Sequence, residues 1–168
     1  MLWNLDKRYL LELERRGVPI VPTRLIERGP LSLEWPEAVL KPAISGGAHR
    51  TFRIGAGALS LADAEWSLIF FRGAFSHAVL KRPAVDDFRT QEAHGARVER
   101  AVPSAPVLAA AALALRAAAQ ETLYARVDGV WAGGAFLLME LELIEPSLYF
   151  LGDAAAADRF AAAIVATL

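Results

Sequence analysis

Acidic side chains alternate with apolar ones in two segments near the end of the chain, LYARVD and MELELIEP, which flank a turn-like WAGG. Such alternation is typical of β-strands with one polar face. Because successive side chains of a strand point to opposite faces, Arg126 and Asp128 share one face, and Glu140 and Glu142 share another. A hairpin that turned both faces to the same side would gather three carboxylates and a guanidinium.

Three carboxylates that meet on one surface repel each other unless a cation lies among them. Mg²⁺ is a hard ion that prefers oxygen ligands and is usually bound together with phosphates. Asp128, Glu140 and Glu142 therefore indicate a nucleotide–metal site. The alternative is a solvated hairpin face with an Arg–Glu cross-strand pair and no ligand, and the hairpin alone does not decide between the two.

The register of the hairpin determines whether the carboxylates meet. A four-residue loop that pairs Val130 with Ala135 would leave the two glutamates on the face opposite to Asp128, since a shift of one residue reverses every side chain. The metal hypothesis therefore requires an odd connection, such as a three-residue loop that pairs Trp131 with Ala135. Arg126 would then lie opposite Glu140, with Asp128 diagonal to it.

Composition excludes several classes of protein. The 168 residues suit one compact domain or two small lobes, and a net charge of −1 without a basic stripe argues against a nucleic-acid binder. The absence of cysteine excludes disulfides and a thiolate zinc site and favours a reducing compartment. The longest uncharged run is too short and too rich in proline to span a bilayer, and no secretory signal is visible. We expect a soluble cytoplasmic protein with no membrane partner.

Periodicity predicts a mixture of helices and strands. The predicted elements are a helix from Asn4 to Arg16, an extended segment Val18–Thr23, a strand Glu37–Lys41, a hairpin of Trp66–Phe71 and Phe75–Leu80, a helix Pro106–Gln120, and a last helix capped by Asp153 that buries Phe160, Ile164, Val165 and Leu168. The first helix buries Leu5, Tyr9, Leu10 and Leu13, and Lys7 lies off that stripe.

Two polar stretches could contact phosphates. Lys41 ends its strand shortly before Gly46 and Gly47, whose N–H groups could cradle oxygens, although an ordinary turn with a solvated lysine is the alternative and no P-loop sequence exists. The polar stretch 81–100 is predicted to be a mobile loop, and its cations Lys81, Arg82 and Arg89 would suit a lid over phosphates or a solvated charge run. No sequence signature of a catalytic nucleophile is present.

Taken in order, these pieces resemble the ATP-grasp superfamily of carboxylate–amine ligases. The resemblance is to its glutathione synthetase-like and ribosomal-protein-glutamate-ligase-like groups, and most of all to the branch of the D-cycloserine biosynthesis ligase. It implies an α+β, two-lobed ATP-grasp-like domain with antiparallel sheets packed against helices. Residues 1–168 would form one such region, with a small lobe at 1–80 that includes the Lys7 helix and a C-terminal Mg–ATP lobe at 81–168.

The resemblance assigns nucleotide-binding roles by position. Lys7 matches the first ATP lysine of the family, Lys41 matches the second, and Ser45, Gly46 and Gly47 stand where the glycine-rich phosphate loop lies. The basic segment of the family is matched by Lys81 and Arg82, which would bind the nucleotide, and by Arg89, which would take part in catalysis.

The resemblance also assigns the metal site. Asp128, Glu140 and Glu142 match the residues that hold Mg²⁺ against the ATP phosphates, with Glu142 in place of the usual Asn. Arg126 matches the arginine that stabilises charge on the transferred group. The implied reaction uses ATP to convert a carboxylate to an acyl phosphate, which an amine then attacks, with nucleotide and small carboxylates and amines as binding partners.

The chain departs from the family in two places. The N-terminal domain that precedes the Lys7 helix is absent, and so is the hinge strand that hydrogen-bonds adenine. Three hypotheses follow: a shortened ligase with impaired activity, a non-catalytic remnant or interaction module, and a subunit completed by a homo-oligomer or a partner chain that supplies the missing lobe. The identity of the substrates does not follow from the sequence.

Overall fold

A five-stranded antiparallel sheet forms the centre of the protein. The structure is a computed structural model that describes residues 2–27, 35–45, 50–55, 64–83, 96–150 and 153–168. In chain order its elements are a 3-10 helix (Leu2–Leu5), α1 (Tyr9–Arg15), β1 (Glu37–Leu40), β2 (Phe52–Gly55), β3 (Glu65–Phe71), β4 (Ala74–Arg82), β5 (Arg97–Arg100), α2 (Ala105–Ala118), β6 (Tyr124–Ala132), β7 (Ala135–Glu142) and α3 (Ala156–Val165).

The large sheet has the strand order β5-β4-β3-β6-β7, and β1 pairs with β2 in a separate two-stranded sheet. Every pairing within the two sheets is antiparallel. The predicted α+β class with antiparallel sheets packed against helices is therefore confirmed. Among the described residues, no helix is long and apolar enough to cross a membrane.

Both faces of the large sheet are covered, which explains why β3 is apolar along most of its length. Leu68 and Phe70 point to the face covered by α1 and α2, where they join the larger hydrophobic cluster. Ile69 and Phe71 point to the opposite face, where the ring of Phe71 packs 5.0 Å from that of Phe160 on α3. Both faces of β3 therefore bury side chains, as expected for a central strand between helices.

The N-terminal helix begins later than predicted. Helix α1 starts at Tyr9, and Tyr9, Leu10 and Leu13 are buried as predicted. Leu5, predicted to be buried with them, is exposed, because it lies in the preceding 3-10 helix. Asn4 does not cap the helix, because its side chain bonds instead to the backbone of the strand β7 and the residues beyond it. Its amide donates to the carbonyl of Leu141 at 2.7 Å and accepts from the N–H of Leu143 at 2.9 Å. The predicted first turn is therefore wrong.

The outer edge of β7 is closed by the N-terminal region. The segment before β1 runs alongside it, with Leu138 donating to Pro19 and accepting from Val21, both at 2.9 Å. The Tyr9 hydroxyl accepts from the N–H of Leu141 at 2.8 Å. These bonds satisfy edge groups that would otherwise be free to pair with another chain. They also bring the residues around Lys7 next to Glu140.

The polar stretch 81–100 is not a loop at either end, so that prediction is wrong there. Strand β4 continues through Lys81 and Arg82, and residues 97–100 form β5, which pairs with it. Hydropathy missed this extension because Lys81 is neutralised by Glu65, the residue directly opposite on β3. Residues 84–95 lie outside the described part of the chain.

The proposed division of the chain at residues 80 and 81, which lie within β4, stays a prediction. One further prediction needs correction. In α3, Phe160 packs against the sheet as predicted, but the C-terminal apolar residues do not. Val165 and Leu168 are exposed, and the buried positions of this helix are Ala156 and Ala163. Helix α2 forms close to its predicted range.

Candidate functional site

A β-bulge places the acidic residues of β6 and β7 on one face of the sheet. The hairpin turn has two residues, because Ala132 pairs with Ala135, and this even connection alone would send the two glutamates to the other face. The register shifts by one residue beside Asp128, and beyond the shift Asp128 lies opposite Glu140 and Arg126 opposite Glu142. The predicted three-residue loop is therefore wrong, and the bulge supplies the odd residue that the metal hypothesis requires.

Gly129 lies opposite this bulge, whose extra residue is Met139 of β7. A Cβ atom at this position would lie 2.4 Å from Cζ of Phe136 and 2.6 Å from the carbonyl oxygen of Leu137. Contacts that short do not occur with real side chains, so only glycine lets the ring of Phe136 cross the strand here.

The three predicted metal ligands lie together. One oxygen from each of Asp128, Glu140 and Glu142 can be chosen so that all three are within 4.8 Å of one another. Asp128 is buried, whereas the two glutamates are partly exposed at the rim. One of the three carboxylates is therefore buried, and solvent or a bound molecule can reach the other two.

Arg126 donates hydrogen bonds to two of these carboxylates. Its Nε donates to Asp128 Oδ1 at 3.0 Å, and its Nη2 donates to Asp128 Oδ2 at 2.9 Å and to Glu142 Oε1 at 2.6 Å. Its Nη1 donates to the carbonyl of Ser147 at 3.2 Å, and the ring of Tyr149 lies 5.7 Å from its Cζ. The guanidinium is thus fixed at its edge by ion pairs and on its face by an aromatic ring.

Lys81 and Ser67 complete the surroundings of Asp128. The Ser67 hydroxyl donates to Asp128 Oδ1 at 2.5 Å, and Lys81 Nζ lies 3.7 Å from Asp128 Oδ2. Lys81 also donates to Glu65 on the neighbouring strand. The lysine is buried at this site. The two alternatives predicted from the sequence, a lid and a solvated charge run, therefore do not apply to Lys81.

Lys7 connects the site to the loop after β1. Its Nζ donates to the Ser45 carbonyl at 2.6 Å and lies 3.4 Å from Glu140 Oε1. Its backbone N–H donates to the carbonyl of Ala43 at 2.8 Å. Lys7 and Ser45, both predicted nucleotide contacts, therefore meet beside a predicted metal ligand.

The remaining predicted residues lie elsewhere or outside the description. Arg82 points away from Lys81 and pairs with Glu99, at 3.4 Å, on the outer strand β5. Lys41 follows β1 and has no hydrogen-bond or ion-pair partner within the described ranges. Gly46, Gly47 and Arg89 fall in the ranges 46–49 and 84–95, outside the described residues.

Burial and charge act in opposite directions on the buried ions. Burial alone would raise the pKa of Asp128, but the positive charges of Lys81 and Arg126 and its hydrogen bonds hold that pKa below its ordinary value. Burial lowers the pKa of Lys81, and the charges of Asp128 and Glu65 outweigh this and raise it. The core of the site is therefore a set of fixed charges at neutral pH.

Glu142 behaves differently from Asp128. Burial raises its pKa to about 7, because the attraction of Arg126 is opposed by the nearby charges of Asp128 and Glu140. A cation among these carboxylates would favour the ionised form. Glu142 is thus the member of the set whose charge depends most on what is bound.

The donor set fits Mg²⁺. All three candidate ligands are carboxylate oxygens, and an octahedral Mg²⁺ needs oxygens separated by roughly 3 to 4 Å, given metal–oxygen distances of about 2.1 Å. Oxygens already within 4.8 Å of one another need only small side-chain movements to reach that spacing. Each carboxylate is paired with a cation from this chain, so an entering metal would compete with Lys7, Lys81 and Arg126 for these oxygens.

Sequence reasoning missed three residues of this site. Glu65 and Ser67 alternate with apolar residues on β3, and that parity could have placed them on the face of Asp128 once the pairing of β3 with β6 was known. Tyr149 belongs to the segment after β7, where nothing in the local pattern indicates a contact with Arg126.

One curated protein to which the chain is similar is a cycloserine biosynthesis protein. The chain is 28% identical over 215 residues to the protein DcsG of Streptomyces lavendulae, and the match covers 99% of this chain and 70% of that protein. Because the aligned region is longer than the 168 residues of this chain, the relative contains internal residues that have no counterpart here. No family model matches the chain.

Solved structures show the same fold. The D-cycloserine synthetase DcsG matches with a TM-score of 0.81 at 25% identity, over 99% of this chain and 71% of that chain. The D-alanine–D-alanine ligase of Bacillus anthracis matches with a TM-score of 0.73 at 17% identity, over 98% and 67%. The ATP-grasp ligase PsnB matches with a TM-score of 0.63 at 17% identity, over 98% and 59%.

The sheet order and the likeness to these structures define an ATP-grasp fold. The sequence similarity to DcsG goes further than the fold. The chain therefore has the fold of the ATP-grasp ligases and is similar in sequence to DcsG, of which it covers about 70%, in line with the resemblance drawn from its residues.

Proposed function

We propose that the chain binds Mg–ATP and uses it to join a carboxylate to an amine through an acyl phosphate. The observation that carries this proposal is the gathering of three carboxylates and three cations on one sheet face. Asp128, Glu140 and Glu142 lie within bonding reach of one ion, and each is paired with Lys7, Lys81 or Arg126. Such a set can bind a metal and the phosphates that accompany it.

The complexes solved for two structural relatives support the proposal that this chain binds a nucleotide and a metal. The D-alanine–D-alanine ligase of B. anthracis has been solved in complex with ATP, and PsnB in complex with Mg and ADP. These ligands belong to those proteins, and we extend them to this chain because its own carboxylates and cations suit them.

The roles of the residues follow from their positions. Asp128, Glu140 and Glu142 would hold Mg²⁺, which supplies charge neutralisation for the phosphates when it is bound. Lys7 and Ser45 would contact the phosphates from the side of the small sheet. Arg126, released from Glu142, would turn an N–H group toward the transferred phosphoryl.

The proposed reaction balances without a nucleophile from the protein. A carboxylate oxygen of the substrate bonds to the γ-phosphorus of ATP as the bond to ADP breaks, which gives an acyl phosphate. The amine nitrogen then bonds to the acyl carbon, phosphate leaves, and the nitrogen loses a proton. Phosphoryl transfer depends mainly on positioning and charge, which the lysines and arginines can supply.

Hydroxylamine tests this proposal, because it converts an acyl phosphate to a hydroxamate that forms a coloured iron complex. We expect a panel of amino acids and hydroxy acids with Mg–ATP to give a hydroxamate for at least one acid with the native chain. Asp128→Asn should give none, whereas Asp158→Asn, a matched change at an exposed site on α3, should react normally. A folded native chain that yields no hydroxamate and no ADP with any acid would contradict the ligase activity.

A second candidate is a non-catalytic remnant or a subunit completed by a partner. It is favoured by the small sheet, where Phe52 is 58% exposed and Val39 and Leu40 are also open to solvent, and by the internal residues of DcsG that have no counterpart here. A folded native chain that binds no Mg–nucleotide would support it. The substrates, the oligomeric state and the cytoplasmic location stay predictions.

A further inference from the structure

His77 is a buried residue on β4 that the proposed reaction does not use. Only 4% of it is exposed, and it lies on the same strand face as Lys81. Its Nε2 is 2.8 Å from the carbonyl oxygen of Leu148, and its Nδ1 is 2.9 Å from the hydroxyl of Ser76. Both ring nitrogens are therefore occupied.

Chemistry fixes the direction of these hydrogen bonds. The Leu148 carbonyl can only accept, so His77 Nε2 carries the proton and donates. In the neutral ring Nδ1 must then accept, and the Ser76 hydroxyl donates to it. Ser76 accepts in turn from Arg159 Nε at 2.8 Å, and Arg159 Nη2 is held by Asp153 at 2.5 Å.

These groups form a chain that we call the His77 relay: Asp153, Arg159, Ser76, His77 and the carbonyl of Leu148. It starts from an ion pair at the beginning of α3 and ends on the segment 147–149. Burial lowers the pKa of His77, which is consistent with a neutral ring in this chain. Each donor in the relay meets an acceptor, and the neutral Nε2–H tautomer is the form that satisfies every bond.

The end of the relay lies next to Arg126. The Ser147 carbonyl accepts from Arg126 Nη1 at 3.2 Å, and the Tyr149 ring lies over the guanidinium. Tyr149 has φ of +51°, a left-handed conformation that is uncommon for an aromatic residue. Such a conformation persists only where its surroundings hold it, and here the carbonyls of the two preceding residues are both pinned.

We propose that His77 is a positioning residue that holds the segment 147–149 so that Tyr149 covers Arg126. It contacts neither the carboxylates nor the proposed phosphate groups directly, and it acts through the Leu148 carbonyl. The importance of this placement for ligand binding rests on the proposed function, whereas the placement itself does not. A purely structural role for His77 would affect stability without moving Tyr149 relative to Arg126.

Nitrogen-15 NMR of the full chain separates these two roles. The Arg126 Nε–H signal is assigned by its loss in Arg126→Lys, and Tyr149→Leu gives its position without the ring. His77→Gln keeps an N–H donor near the Leu148 carbonyl, while His77→Phe keeps the volume and removes the donor. Ser76→Ala is the second test if His77→Phe does not fold. It removes the hydrogen bond that the Ser76 hydroxyl donates to His77 Nδ1 and leaves the core intact.

We expect the Arg126 signal to move in His77→Phe toward its position in Tyr149→Leu and to stay near its native position in His77→Gln. Long-range proton–nitrogen spectra should show His77 as the Nε2–H tautomer at neutral pH, and only three histidines need to be distinguished. An unmoved Arg126 signal in folded His77→Phe, or an Nδ1–H tautomer, would overturn the proposal.

Binding of Mg²⁺ with a non-hydrolysable ATP analogue gives a second readout. His77→Phe should weaken it by roughly tenfold, the loss expected for about one hydrogen bond, while His77→Gln should stay within about twofold of native. If the native chain does not bind the analogue, the proposed function fails, and the NMR result still decides the role of His77. Equal binding by native and His77→Phe proteins would contradict the effect of this placement on ligand binding.

Discussion

Single residues at the site hold their charges in balance without a metal. Asp128 is buried between Arg126, Lys81 and Ser67, and Glu140 is paired with Lys7. Removing one partner of a buried pair costs about 3–5 kcal/mol, because it leaves an uncompensated charge. This self-neutralised arrangement explains how a chain can fold with so many acidic groups in contact, and it means that metal and cations compete for the same oxygens.

Metal affinity should therefore depend on pH through Glu142. Its pKa of about 7 means that below neutral pH the group must lose a proton before it can bind a cation. We expect the affinity for Mn²⁺, used as a paramagnetic probe for Mg²⁺, to fall about tenfold per pH unit below 7 and to level off above it. Electron paramagnetic resonance of free Mn²⁺ measures this in the absence of nucleotide.

Two variants control for other titrating groups. Glu142→Gln should bind more weakly and lose the pH slope, because its amide does not titrate. Glu12→Gln, a change on α1 where the carboxylate accepts from Trp3, should keep the native slope. A native slope that survives in Glu142→Gln would show that another group controls the binding.

At the level of elements, a bulge rather than a loop creates the site. Parity of the strand residues predicted that an odd residue must lie between Asp128 and Glu140, and this requirement was correct. The position of this extra residue could not be predicted from the alternation of polar and apolar residues. A two-residue turn with a bulge and a three-residue loop give the same parity. The strand pairing in three dimensions distinguishes them: Met139 is the extra residue, and Gly129, opposite it, packs closely against Phe136.

Gly129→Ala should therefore remove the site through its backbone. A methyl group at 2.4 Å from the Phe136 ring forces the strands apart or resets the register, at a cost of about 1–3 kcal/mol. We expect lower thermal stability and loss of Mn²⁺ binding, although no ligand is changed. Gly133→Asn, at a turn position with φ of +59° that Asn tolerates, should keep both properties. Native Mn²⁺ binding in Gly129→Ala would contradict the role of the bulge.

Longer-range pairing limited the prediction of other elements. The sequence predicts a loop around Lys81 because the stretch 81–100 is polar and has few large apolar residues. Its place in β4 depends on Glu65, sixteen residues earlier in the chain, which neutralises it within the sheet. Asn4 was likewise assigned to a helix cap, and its true partners lie on Leu141 and Leu143, far along the sequence.

At the level of the whole molecule, the large sheet and the small sheet differ in how far other elements cover them. The large sheet is covered by helices on both faces, whereas the small sheet consists, within the described residues, of β1 and β2 and exposes Phe52, Val39 and Leu40. Two-stranded sheets are marginally stable in water. The ATP-grasp fold and its α+β class were predictable from the sequence, because the ordered motifs resemble the family along most of the chain. The exposure and the expected low stability of the small sheet were not predictable from the sequence.

Hydrogen exchange should reveal this difference. We expect the amides of β1 and β2 to exchange much faster than those of β3 and β6, which lie at the centre of the large sheet. If Lys7 and Ser45 bind phosphates, addition of Mg²⁺ and an ATP analogue should slow exchange in the loop after β1. Equal protection of both sheets in the free chain would contradict this account of the small sheet.

Calorimetric titration of the purified chain with a non-hydrolysable ATP analogue and excess Mg²⁺ tests the central claim most directly. We predict micromolar binding that requires Mg²⁺, is abolished in Asp128→Asn and is retained in Asp158→Asn. Circular dichroism and thermal melting should confirm that each variant is folded. No heat up to millimolar analogue from a folded native chain, or binding that Asp128→Asn leaves unchanged, would contradict the nucleotide–metal site.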